Sequence, residues 1–136
     1  MFIVLDSSVT AAWVLPDETS DLADSMLSMV QVDGAVVPYL WWYEVRNILA
    51  IAERRRKISP ADSLSFLHCL QSLDIRMKEL GEGKEVLRLA RVHQLSVYSA
   101  TYLELALREH LPLATLDRSL ALAAVRECVP SMDMDM

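Results

Sequence analysis

Apolar residues fall into short blocks along this chain, and the spacing inside each block sets its element. Phe2 to Leu5 is an unbroken apolar run with branched side chains, which predicts a short buried strand. Ser7 or Ser8 is then placed to cap a helix that Pro16 ends near Leu15. Leu22, Met26 and Met29 recur at helical spacing behind Thr19 or Ser20, so a second helix is predicted there, with its methionines in the core. Gly34 breaks that pattern, Ala35 to Val37 read as a second strand, and Pro38 stops it. A helical pattern runs from Tyr39 to about Arg56, with Leu40, Ile48 and Ile51 on one side. Ser59-Pro60 starts the next helix, expected to reach Leu73. Ile75 belongs to a short strand, and helices follow over Glu82 to His93 and Ser99 to Glu109. Residues 112–116 form a last strand and Asp117 to Arg126 a closing helix. The tail SMDMDM carries no pattern and is expected to fray from about residue 130.

Strands separated by helical segments predict an α/β fold, a parallel sheet covered on both faces. In such sheets ligands bind beyond the carboxyl ends of the strands. Asp6 and Asp117 each lie just past such an end, so the sheet can bring them together. Glu44 is four residues after Leu40 and four before Ile48, which sets it along the apolar side of its helix. A carboxylate turned toward a core is costly unless paired, hydrogen-bonded or bound to a cation. Either Arg46 or another basic group satisfies it, or a metal does. Three such acids without a nearby histidine or thiolate point to a hard, oxygen-preferring ion, magnesium or manganese. Two carboxylates about 4 Å apart repel by roughly 4 kcal/mol at an effective dielectric near 20, so a cluster of this kind calls for a cation. Helix caps and salt bridges are the competing explanation of the same residues.

Composition narrows the class. With 136 residues, 53% of them apolar, and only three glycines, the chain is one globular domain. No apolar stretch is long enough for a membrane span, and no basic leader precedes Asp6. Cys69 and Cys128 are far apart and imply two reduced thiols, in keeping with a cytoplasmic protein. A net charge of −6 argues against broad attraction to nucleic acid, although basic residues gather at Arg54, Arg55, Arg56 and Lys57. That run also reads as a solvated helix end complementing the dipole. His68, His93 and His110 have no ligand spacing. Trp41 and Trp42 are adjacent on a helix, so at least one is exposed, and exposed tryptophans mark interfaces.

The blocks VLDSSVTAAWVLPDE, VVPYLWWYEVRNILAIAERRRKIS and LSVYSATYLELALREHLPLATLDRSLALAA resemble the three signature blocks of PIN domains. They are similar, more narrowly, to the VapC-type toxins of toxin–antitoxin pairs. The resemblance implies a three-layer α/β/α domain with a central parallel sheet, and magnesium-dependent endoribonuclease activity that leaves a 5′-phosphate and a 3′-hydroxyl. Manganese is a possible substitute. It implies an RNA substrate, a VapB-like antitoxin wrapping across the early helices, and a homodimer. Residue by residue, Asp6, Glu44 and Asp117 match the family's first, second and last acids. Ser8 matches the small polar residue that orients the first acid, and Thr115 the hydroxyl two before the last. The family's third acid, in a block that usually reads YDA, is Ser99 here. Serine can hold a water or cap the helix but brings no charge, and Glu104, five residues on, points to a different face. A binding module with weakened catalysis is therefore the alternative to a ribonuclease. Arg118, Arg54 and Arg55 are the candidates for phosphate contacts.

Overall fold

A computed structural model describes residues 1–130. The order is β1 (Ile3–Leu5), α1 (Ser7–Val14), α2 (Asp21–Asp33), β2 (Ala35–Pro38), α3 (Tyr39–Arg54), α4 (Pro60–Gln71), β3 (Ile75–Lys78), α5 (Gly83–His93), α6 (Val97–Glu109), β4 (Leu113–Ala114) and α7 (Arg118–Arg126). The sheet runs β3-β2-β1-β4, and every pair is parallel. Parallel neighbours need crossover connections, and right-handed crossovers in opposite directions place their helices on opposite faces. The chain steps outward from β1 to β2 to β3 through α1 to α4. It then returns through α5 and α6 to β4, on the other side of β1. Helices α1, α2 and α3 pack together, as do α5, α6 and α7, and α6 lies over β1, β2 and β4. The result is the three-layer α/β/α arrangement.

Burial explains the central strands. Ile3, Val4, Leu5, Ala35, Val36 and Val37 are all buried, because a sheet covered on both faces leaves no position for alternation. β3 is longer than the single residue Ile75 indicated. It is an edge strand in which Arg76 and Met77 remain exposed. β4 is shorter than residues 112–116, covering only Leu113 and Ala114.

Several boundaries differ for local reasons. Asp6, not Ser7 or Ser8, occupies the N-cap position of α1. Ser20 caps α2 by accepting from the Ala23 N–H at 3.0 Å. Ser59 and Asp62 form a reciprocal capping box that starts α4, which ends at Gln71. Helix α6 begins at Val97, capped by Ser96, so Ser99 is an interior residue and not the cap. Val129 is buried, and the Pro130 carbonyl accepts from the Leu113 N–H at 2.9 Å, so the chain is still tied down at residue 130. The tail expected to fray otherwise lies outside the described residues.

The tryptophans join helices. The Trp13 indole N–H donates to the Ala23 carbonyl at 2.9 Å, and the Trp41 N–H to the Thr10 hydroxyl at 2.9 Å. Trp41 is buried while Trp42 is 41% exposed, the asymmetry that adjacency on a helix requires. His93 closes α5 on Glu127 at 2.6 Å, and Arg88 braces the same carboxylate from the same helix at 3.4 Å. Cys69 and Cys128 are free and exposed. No helix among the described residues is long and apolar enough to cross a membrane.

Gly34 ends α2 and turns directly into β2 with φ of +83°, where a Cβ would stand 2.6 Å from the Phe2 ring and 2.8 Å from the Asp74 carbonyl. Gly34→Ala is therefore predicted to cost about 2–3 kcal/mol from backbone strain and the clash together. The urea midpoint measures this, and an unchanged midpoint would contradict the packing described.

Candidate active site

The strand order reverses between β1 and β4, and this is where an open α/β sheet offers a crevice at its carboxyl edge. Leu5 pairs with Ala114 at the last step of the two strands, and the Asp6 N–H donates to the Ala114 carbonyl at 3.0 Å. Asp6 and Thr115 thus leave the sheet side by side, with Asp117 two residues further on.

Two hydroxyls join these pieces, and their hydrogens can be assigned. Ser8 Oγ and Thr115 Oγ1 each donate to Asp6 Oδ2 at 2.7 Å. The Ser8 oxygen then accepts from the Leu116 N–H at 2.9 Å, and the Thr115 oxygen from the Asp117 N–H at 3.0 Å. Each hydroxyl has spent its one proton on Asp6, so the 3.4 Å approach of the two hydroxyls to each other is proximity without a shared proton. Both donors fall on Oδ2. Among the described residues Oδ1 accepts nothing, which leaves it to a ligand.

Asp6 sits at a helix N-cap yet makes no capping bond with its side chain. Aspartate is among the best capping residues, and a cap contributes about 1 kcal/mol. Its carboxylate faces the crevice instead, buried to 6% exposure. Burial raises its pKa above the ordinary carboxylate value. The Thr115 and Ser8 bonds oppose that shift, and the charges of Glu44 and Asp117 reinforce it. Asp117 keeps its capping role: Oδ1 accepts from the Ser119 N–H at 2.9 Å and the Leu120 N–H at 3.4 Å.

Glu44 arrives from α3, though not along the buried stripe that the sequence indicated. The stripe consists of Trp41, Val45, Leu49 and Ala52, one residue out of phase, whereas Leu40, Glu44, Ile48 and Ile51 are half-buried along its flank. Among the described residues no basic group satisfies Glu44. Its Oε1 accepts from the Tyr102 hydroxyl at 2.6 Å. Tyr102 is a buried residue of α6, and its pKa is pushed up by burial and by the adjacent Glu44 charge, so it keeps its proton and remains the donor. Sequence reasoning missed this residue, because a tyrosine among consecutive buried positions reads as core. Its usable signal was the polar tip, which needs a partner when buried.

The remaining candidates separate by position. Ser99 lies one helical turn before Tyr102, on the same side of α6, and its side chain makes no hydrogen bond among the described residues. Glu104 is turned elsewhere, pairing with Arg108 at 2.9 Å beside the loop 79–82. Arg118 is exposed next to Asp117. Arg54 and Arg55 are exposed at the far end of α3, about 15 Å along its axis from Glu44 at 1.5 Å per residue.

Asp6 therefore feels both other acids, but the three are not a ready-made cage. Among the described residues no three His, Cys, Asp or Glu side chains are grouped closely enough for that. Glu44 and Asp117 line separate depressions. One is bounded by Leu40, Tyr43, Glu44, Asn47 and Tyr98, the other by Ser8, Ala11, Ala12, Glu18, Leu116 and Asp117. The donors are all oxygen, and among the described residues Asp6 has no cationic partner. Both features suit a hard divalent ion that keeps several waters.

Comparison with known proteins gives this arrangement a family. The PIN domain model matches residues 3–126, and the chain belongs to the PIN domain family. It is 32% identical over 128 residues to Ribonuclease VapC3 of Pyrobaculum aerophilum, covering 89% of this chain and 93% of that relative. The crystal structure of PAE2754 from Pyrobaculum aerophilum superposes with a TM-score of 0.74 at 22% identity, over 98% of this chain and 85% of that one. A toxin–antitoxin complex from Klebsiella pneumoniae gives a TM-score of 0.60 at 14% identity, over 85% and 86%. These two likenesses bear on the fold, and the VapC-type resemblance of the sequence holds.

A carboxylate whose folded pKa is raised holds its proton more tightly in the native state. It therefore costs stability as pH rises from the ordinary carboxylate value through the raised one. Asp6→Asn is predicted to raise Tm by a few degrees, on the order of 1 kcal/mol, at pH 7 in metal-free buffer. That gain shrinks as pH falls and the wild-type carboxyl takes up its proton. Thermal melts across pH in chelator measure this, and a variant less stable at pH 7 would remove the burial argument.

Proposed function

We propose that this chain is a VapC-type endoribonuclease, the toxin half of a toxin–antitoxin pair, hydrolysing RNA phosphodiester bonds with a divalent cation held at the β1–β4 crevice. The observation that carries the reading is Asp6. A residue suited to cap α1 instead turns its carboxylate into the crevice, is held there by two hydroxyls, and stands against two further acids. Such an arrangement costs stability and becomes favourable with a cation. The name of the relative Ribonuclease VapC3 and the toxin–antitoxin title of the Klebsiella neighbour support the class. Magnesium is the expected ion and manganese a substitute. A VapB-like antitoxin, a homodimer and a cytoplasmic setting belong to the same proposal.

In this reading Asp6, Glu44 and Asp117 would supply carboxylate oxygens to the ion, with Ser99 contributing at most through water. A bound divalent ion supplies charge neutralisation at the phosphate and lowers the pKa of water. The protein residues orient. Ser8 and Thr115 fix the plane of Asp6 and keep it an acceptor. Tyr102 fixes Glu44 by holding Oε1, and the backbone N–H groups of α7 fix Asp117 by holding Oδ1. Arg118, exposed beside Asp117, is the proposed contact for a phosphate of the bound strand.

Asp6→Asn is predicted to lower RNA cleavage in magnesium by at least about 100-fold with the fold intact, since even supporting residues of metal sites are worth roughly 10–100-fold. Cleavage by the variant at the wild-type rate would exclude Asp6 from the site. Chelation should abolish wild-type activity, and magnesium should restore it.

Ser99→Asp tests the departure from the family pattern. It should lower the magnesium concentration needed for half-maximal cleavage, by about tenfold if the new carboxylate reaches the ion. It should cost the metal-free fold modestly by like-charge repulsion, an effect that the helix N-terminus partly offsets. Position 99 is three residues past the Ser96 cap, where a carboxylate favours the helix N-terminus and can reach back to the Ser96 N–H. Unchanged magnesium dependence would place residue 99 outside the ion's surroundings.

A further inference from the structure

The depression next to Glu44 has a composition that the metal chemistry does not use. It holds about 620 Å³ and is lined by Leu40, Tyr43, Glu44, Asn47 and Tyr98. That volume lies within the range of small-ligand cavities, roughly 300–1,000 Å³. Two of the five lining residues are tyrosines that stay largely in solvent, Tyr43 at 67% and Tyr98 at 61% exposure. They come from different helices, α3 and α6, so their approach is a product of the tertiary fold.

Tyr43 is also stiffened. The Arg46 guanidinium stacks 3.9 Å from the Trp42 ring centroid and donates to the Trp42 carbonyl at 3.1 Å. Trp42 in turn meets Tyr43 edge-to-face, with centroids 5.0 Å apart. Arg46 is thereby committed to the aromatic group, and among the described residues no lysine or arginine lines the depression. With a net charge of −6 and the Arg54 to Lys57 run about 15 Å away along α3, an RNA strand gains little from electrostatics beside Glu44. Its affinity there must come from another source. Bases of unpaired RNA supply one, because every base has a face that stacks on an aromatic side chain whatever the sequence.

We propose that Tyr43 and Tyr98 form a stacking site for an unpaired RNA base next to the phosphate cut at Asp6 and Glu44, with the Asn47 amide at the base edge. This rests on the ribonuclease reading and extends it: a base of the substrate strand enters the depression while its phosphate reaches the acids. A base in a duplex is stacked on its neighbours and cannot enter.

The test uses Tyr43→Ala, Tyr98→Ala and the matching phenylalanine variants, in the wild type for cleavage and in the Asp6→Asn background for binding. The probe is a fluorescent unpaired RNA, alone or annealed to its complement, read by anisotropy in magnesium. Each alanine should weaken unpaired RNA binding about tenfold, each phenylalanine by less than about twofold, and duplex binding should not change. Single-turnover cleavage should lose apparent affinity more than rate, and magnesium titration of the variants should match the parent. Alanine variants that bind unpaired RNA like the parent would overturn the proposal and leave these rings to a protein partner. Phenylalanine variants as weak as alanine would overturn stacking in favour of the hydroxyls. If the wild type cleaves no RNA, the ribonuclease reading fails, while ring-dependent binding still decides the stacking site.

Discussion

One carboxylate oxygen organises the carboxyl edge of the sheet. Asp6 Oδ2 accepts from Ser8 in α1 and from Thr115 at the end of β4, two segments more than a hundred positions apart in the chain. Each hydroxyl then receives a backbone N–H of the segment 116–117, so the oxygen, the two hydroxyls and the β4–α7 turn lock together. The lock requires one acceptor oxygen at this position, which a carboxylate supplies here and an amide oxygen could supply in its place. With the pairing of Leu5 against Ala114, it sets where Asp117 starts α7 and which way its side chain faces. The same burial that makes the lock strong makes the charge costly.

The sheet was legible in the sequence wherever burial is complete. Ile3 to Leu5 and Ala35 to Val37 are covered on both faces, so every position is apolar and the strands announce themselves. β3 was only glimpsed, because an edge strand alternates Ile75 and Met77 with Arg76 and Lys78 and reads like a surface loop. Capping was legible where a serine competes with few neighbours, as at Ser59. It failed at Asp6, where the obvious cap is used for something else.

The site shows a similar division. Asp6 and Asp117 were legible because each follows an apolar strand. Glu44 was singled out as a candidate by an argument that has the wrong phase. Leu40, Ile48 and Ile51 make one apolar row on α3, and Trp41, Val45, Leu49 and Ala52 make another beside it. Sequence alone cannot choose between adjacent rows that are both apolar. The sheet chose the second, which leaves Glu44 on the flank, where a carboxylate can be both hydrogen-bonded and reachable. Tyr102 was invisible for the complementary reason: its ring belongs to the core and only its oxygen reaches the candidate site.

The placement of Glu44 on a flank has a consequence for how an acidic protein handles a polyanion. A carboxylate on the buried stripe would be sealed from substrate, and one on the open face would be fully hydrated and loosely held. On the flank, Oε1 is fixed to Tyr102 inside the fold while the rest of the group borders the depression lined by Tyr43 and Tyr98. Under the proposed function, phosphate would be repelled here until a cation compensated the acids, so metal and substrate would arrive as coupled events. Several of the arginines that could have attracted RNA are engaged within the protein: Arg76 with Asp74, Arg88 with Glu85 and Glu127, Arg108 with Glu104, and Arg46 over Trp42. If Tyr43 and Tyr98 stack a base as proposed, weak long-range attraction, a conditional charge and aromatic surfaces together would favour a strand whose bases are already free over any polyanion that merely carries charge.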